Sequence, residues 1–211
     1  VPTPKSLREA VVGPFTEFFG RPGSLLILGF ILLYKIGDSM GAEMLSPFIF
    51  DLGISKTEYA VIGKTFGLFS LIAGGVLGGL IIYRIGILKS LLIFGILQML
   101  STAGFAILAS IGNNIPVFTA VIAFETITSG LGTTAYVAFM ATVTNKRFTA
   151  TQYALLTSIM GIPRVVFGSF TGLLAETLGW EGFYILCTLL AIPGLLLISK
   201  ISKLSSPSSS S

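Results

Sequence analysis

Histidine is absent from this sequence, cysteine occurs once, and charged residues make up only 10% of it. Without histidine, Ser/His/Asp and Cys/His catalysis are excluded. The lone thiol, Cys187, sits in an apolar run, which excludes a disulfide framework and a His- or Cys-built metal site. The shortage of charge excludes most. Soluble domains carry roughly 25% charged residues, and a chain that is 53% hydrophobic, with a mean hydropathy of +0.93, has too little polar surface for water. The expectation is an all-α, polytopic membrane protein, with the lipid bilayer as its first partner. No cofactor and no nucleic-acid partner are expected. The first 23 residues are too polar for the apolar core of a secretory signal.

A bilayer core asks for roughly 20 apolar residues per helix. Six segments meet that: Ser24–Phe50, Thr57–Tyr83, Leu88–Ile111, Ile115–Val143, Thr151–Leu178 and Gly182–Ser199. The breaks between them, "DLGIS", "YRIG", "IGNN", "TNKRF" and "LGWEG", have ordinary turn chemistry and are too short for anything but up-and-down helices. Lys5, Arg8, Arg21, Arg84, Lys89, Lys146, Arg147, Lys200 and Lys203 gather on one side; only Lys56 falls on the other. The positive-inside bias then places both termini in the cytoplasm. Residues 1–23 read as a cytoplasmic amphipathic linker, with Leu7, Val11, Phe15 and Phe18 on one stripe and a kink at Gly13-Pro14. Residues 24–201 form the bundle, and the Ser-rich tail, 202–211, is expected to be disordered. Small-xxx-small spacings at Gly74/Gly78, Gly75/Gly79 and Gly168/Gly172 predict close helix packing within the bundle.

Ionisable groups remain inside these spans. Lys35, Asp38 and Glu43 interrupt the first, Lys64 the second, Glu125 the fourth and Arg164 the fifth. Each central Lys, Arg or Asp costs roughly 2.5–3.5 kcal/mol to insert, so such groups face a bundle interior or a watery cavity. Lys35 and Asp38, three apart, share a helix face and can pair. A pair that merely fixes helix register is the competing reading. Against it stands a symmetry: six spans divide into two inverted three-helix repeats, and Lys35 lies eleven residues into the first leading helix while Glu125 lies ten into the second. Both reach the midplane, where binding sites of inverted-repeat carriers lie. Pro163 beside Arg164, and "TSGLGTTAY" (128–136) beyond Glu125, predict backbone breaks close to these groups. "GKT" (63–65) is no phosphate loop, because Glu58 stands where its first glycine belongs. Nothing in the spacing recommends a Ser–Lys nucleophile, and an enzyme is not expected.

The loop "GGLIIYRIGILKS" resembles the signature loop of the major facilitator superfamily at Gly79, Arg84, Gly86 and Lys89, with Tyr83 in place of the usual acid. Two longer stretches, "EFFGRPGSLLILGFILLYKIGDSM" (17–40) and "NKRFTATQYALLTSIMGIPRVVFGSFTGLLAE" (145–176), resemble the AmpG-type muropeptide permeases, supported by "KTFGL" and "GWEGFY". The resemblance covers the C-terminal six-helix half of such a permease, so it implies half of a major facilitator fold. It further implies proton-coupled uptake of anhydro-muropeptides across the bacterial inner membrane. The partners it implies are an anionic muropeptide, protons, and an N-terminal half or a second copy. On this reading Lys35, Asp38, Glu125, Arg164 and Lys64 are the candidates for substrate binding and proton coupling. Asp38 is held by its lysine, which leaves Glu125 the better proton carrier.

Overall fold

In lipid every backbone N–H and C=O must find a partner inside the protein, so long apolar runs become helices. The computed structural model describes residues 7–144 and 149–205, and each described element is helical. Helix α1 (Leu7–Phe19) precedes the bundle. The first span is built of α2 (Ser24–Tyr34), α3 (Ile36–Glu43) and α4 (Leu45–Asp51). The second joins α5 (Lys56–Ile62) to α6 (Leu68–Ile85) through a π-helical turn, Gly63–Gly67. The third and fourth are α7 (Ile87–Ile111) and α8 (Ile115–Val143); α9 (Thr149–Leu190) and α10 (Ile192–Ser205) complete the chain. The chain's first residues, the 145–148 connection and the Ser-rich tail beyond 205 lie outside the described residues, and with them Lys5, Lys146 and Arg147. The side chains of Leu7, Arg8, Val11 and Lys203 lie outside them too.

Helix ends follow local chemistry. Ser55 and Glu58 form a reciprocal capping box at the start of α5, and Asn114 accepts the Val117 N–H at 3.1 Å to begin α8. Gly86 and Gly112, both at positive φ, end α6 and α7.

Among the described residues five runs are long and apolar enough to cross a bilayer, the last being the 53 residues Ala150–Ser202. At 1.5 Å per residue that run would reach roughly 80 Å, against a hydrocarbon core of about 30 Å. It reverses at Gly179, whose φ of 69° and ψ of 169° are not helical. The contacts follow the turn: Arg164 meets Glu43 and Trp180 meets Asp51 on the way out, then Tyr184 reaches Gly41 and Gly194 packs on Tyr34 on the way back. The described residues therefore make six crossings. Their packing repeats under exchange of halves: the second span packs on the fourth as the fifth meets the first, and the third lies on the fourth as the sixth lies on the first.

Glycines set the closest approaches. A side chain at Gly74 would strike the Ile127 backbone, and one at Gly130 would strike the Leu71 carbonyl and the Gly75 amide, so α6 and α8 touch backbone to backbone. Gly37 meets the Cys187 carbonyl in the same way. The expectation for the fifth span is corrected: a side chain placed at Gly168 or Gly172 would meet nothing within 4 Å among the described residues. The expected loosening of the fourth span is corrected too. Helix α8 runs unbroken through Gly130 and Gly132, which serve close packing and not a hinge, and α9 continues through Pro163.

Helix α1 runs from Leu7 to Phe19 with Pro14 inside it, so the proline where a kink is expected does not end the helix. It turns Pro14 and Phe18 inward and leaves Phe15 exposed. Arg21, just after it, pairs with Glu17 and donates to the Val143 carbonyl at 2.7 Å, closing the end of α8. Gln152 Nε2 donates to the Pro14 carbonyl at 3.0 Å. Hydrogen bonds thus tie α1 and the turn after it to the adjoining ends of the fourth and fifth spans.

The apolar core is divided. One cluster gathers Phe48, Ile49, Phe105, Phe118, Phe183 and Tyr184; the other gathers Phe18, Phe30, Tyr34, Phe94, Tyr136 and Met140. Between Phe94 and Phe105 on α7, and between Ile122 and Leu131 on α8, lie Gln98, Ser101, Thr102, Glu125 and Thr128. A polar layer at mid-depth separates two apolar ones.

Candidate functional site

Lys35 stands at a break. Helix α2 ends at Tyr34, and Lys35, at φ −107° and ψ 6°, joins it to α3. The break frees the lysine from the regular helical row and puts Asp38 in the first turn of α3, where the helix dipole favours an anion. Lys35 Nζ lies 3.1 Å from Asp38 Oδ2 and 3.4 Å from Thr133 Oγ1 of the fourth span. The two charged side chains are 12% and 21% exposed. The interruption is one residue long, and it resembles in kind the discontinuous helices with which inverted-repeat carriers present charge at mid-membrane.

Glu125 reaches the same place from α8. With Asp38, Gly41, Thr102 and Phe105 it lines a cavity of about 70 Å³. Among the described residues its carboxylate makes no hydrogen bond or ion pair. Beneath it a run of hydroxyls crosses between helices: Thr128 Oγ1 lies 3.0 Å from Ser101 Oγ, while Ser101 and Thr102 both donate to the Gln98 carbonyl. Asp38, Lys35 and Glu125 are therefore brought together, as their depths in the sequence imply.

Arg164 and Lys64 are placed otherwise. Arg164 Nε meets Glu43 Oε1 at 2.5 Å, joining the fifth span to the first beyond the Lys35 cluster, and Arg164 remains 73% exposed. Lys64 lies on the π-helical turn, exposed and without an ion pair among the described residues. That turn abuts α8 through Gly67, whose nearest neighbour is Thr126. Insertions of this kind re-aim side chains and recur at functional sites. Sequence reasoning passed over Thr133, Gln98 and Thr102. Gln98 left a readable signal, an amide in the middle of an otherwise apolar span; Thr133 left none, because its role depends on a contact 98 residues away. No group of three metal-ligating side chains occurs among the described residues.

Crossing helices with paired charges at mid-depth define a multi-pass membrane protein with the fold of half a carrier. Residues 27–210 match the Major Facilitator Superfamily, and the chain belongs to that family. It is 40% identical over 199 residues to the anhydromuropeptide permease of Escherichia coli (strain K12), which covers 94% of this chain and 40% of that protein. It is 35% identical over 194 residues to the putative transporter AmpG 4 of Rickettsia felis, covering 92% of this chain and 47% of that one. With the putative transporter AmpG 1 of Rickettsia prowazekii the identity is 39% over 177 residues, covering 84% and 40%. The chain spans less than half the length of these relatives. The likeness read from the two long motifs is borne out.

Proposed function

We propose that this chain forms one wall of a proton-coupled carrier that brings anhydro-muropeptides across the bacterial inner membrane. The observation that carries the cargo is the 40% identity to the Escherichia coli permease along nearly the whole chain. The residues fit such a cargo. Peptidoglycan fragments bear carboxylates, and Lys35, Arg164 and Lys64 offer positive charge at three places within the spans. Asp38 is engaged by Lys35, whereas Glu125 has no cation paired with it among the described residues. Glu125 is therefore the group that takes up and releases the coupled proton.

Orientation follows from the basic residues. Arg21, Arg84, Lys89 and Lys200 flank one end of the bundle and Lys56 the other, a bias that supports placing both termini in the cytoplasm. On this reading residues 1–23 are a cytoplasmic linker and 24–201 the transport bundle. A carrier encloses its cargo between two walls, and the second belongs to an N-terminal half or to another copy of this chain.

Uptake of labelled anhydro-muropeptide into vesicles tests this directly. Vesicles holding this chain and a six-span N-terminal half of a relative are expected to accumulate label when a proton gradient is imposed. Glu125→Gln should reduce that accumulation to the level of protein-free vesicles. Unchanged accumulation with Glu125→Gln would remove the proton role, and no uptake in any preparation would leave a non-transporting membrane subunit.

A further inference from the structure

A second, smaller cavity lies on the far side of Asp38. It is lined by Tyr34 and Asp38 of the first span, Gln98 and Thr102 of the third, and Ala191 and Leu195 of the sixth. Its volume is about 10 Å³, the size of one water site. Gln98 is only 5% exposed, and its Nε2 is buried with no hydrogen-bond partner, the one such side-chain atom among the described residues. Its other amide atom, Oε1, is pressed against Gly132, where even a methyl group would collide with it. A buried amide donor without an acceptor is costly, and in a native fold it calls for an explanation.

We propose that this cavity binds one internal water, which accepts from Gln98 Nε2 and donates to the Asp38 carboxylate and to Thr102 Oγ1. The chemistry of the three groups matches a single water. The amide supplies a donor, the carboxylate supplies acceptors, and Thr102 Oγ1, which already donates to the Gln98 carbonyl at 3.0 Å, has a lone pair to offer. Three such bonds are typical of a conserved internal water. Asp38 lines both this cavity and the larger one shared with Glu125. It is thus held from two sides, by Lys35 and by the water that Gln98 anchors. Gln98 is a positioning residue for Asp38. The inference rests on the geometry of this chain and does not depend on transport.

Thermal unfolding of the purified chain in lipid nanodiscs supplies the first test. If the cavity is dry, Gln98→Leu removes an unsatisfied donor and raises Tm. If the water is present, Gln98→Leu lowers Tm, and the loss shrinks by at least half in an Asp38→Ala background, because the two side chains act through one molecule. A rise in Tm, or an equal loss in both backgrounds, overturns the proposal. Radiolytic hydroxyl labelling gives a second readout, in which the change on Gln98→Leu, and not the baseline rate of the half-buried Met99, reports the water. Met99 lines the cavity, whereas Met140 is fully buried away from it. In the unaltered chain Met99 should oxidise several-fold faster than Met140, and Gln98→Leu should abolish the excess. Equal rates in the unaltered chain would contradict the proposal even if the variant failed to fold.

Discussion

Lys35→Met is expected to destabilise the bundle by about 3–5 kcal/mol, the cost of stripping one partner from a buried ion pair. Both side chains are largely buried and 3.1 Å apart, so the abandoned Asp38 has little water to turn to. Marginal folds have only about 5–15 kcal/mol in hand, so chemical unfolding in micelles should register the change at once. Adding Asp38→Asn removes the stranded charge, and the double variant should recover most of the loss. Uptake should not recover with it. That split separates the two readings of the pair. A pair that only fixes helix register regains function when stability returns, whereas a pair that binds cargo does not.

Gly130→Leu is expected to prevent the second span from docking. The missing side chain is what lets the Leu71 carbonyl and the Gly75 amide lie against α8. Overpacking usually costs roughly 1–3 kcal/mol, but here the obstacle is helix backbone, which cannot move aside as a flexible side chain can. The loss should exceed that range and appear as aggregation on extraction and a collapsed gel-filtration peak. Gly79→Leu, on the partner helix α6 and with open space around it among the described residues, should leave that peak unchanged.

Much of the fold is legible in the sequence because lipid imposes a single demand, continuous apolar length, and the spans are where that length occurs. The reversal at Gly179 is legible as "LGWEG" although the chain there continues from one helix almost directly into the next. The irregularities are not legible. Nothing in "LLYKIGDSM" announces that α2 stops at Tyr34, and nothing in "GKTFG" announces a π-helical turn, since both depend on what neighbouring helices press against. The glycines mislead in a related way. "TSGLGTTAY" carries the residues of a hinge, yet Gly130 and Gly132 are spent on contact with α6 and Gln98. Glycine permits close approach and flexibility equally, and only the packed neighbour decides between them. At the site, depth along each span brings Lys35, Asp38 and Glu125 to one level, but it gives no hint that Arg164 reaches across to Glu43.

Thiol labelling at Thr133 tests most directly whether the ionic groups of the spans look into water. In a Cys187→Ala background, Thr133→Cys places a thiol beside Lys35, on an exposed face of α8. Leu100→Cys places one on the exposed apolar surface of α7. In vesicles holding the assembled carrier, a charged, membrane-impermeant thiol reagent should modify position 133 rapidly and position 100 hardly at all. Equal inertness at both positions would mean that Lys35 and its neighbours face the acyl chains, and the proposed translocation route would not exist.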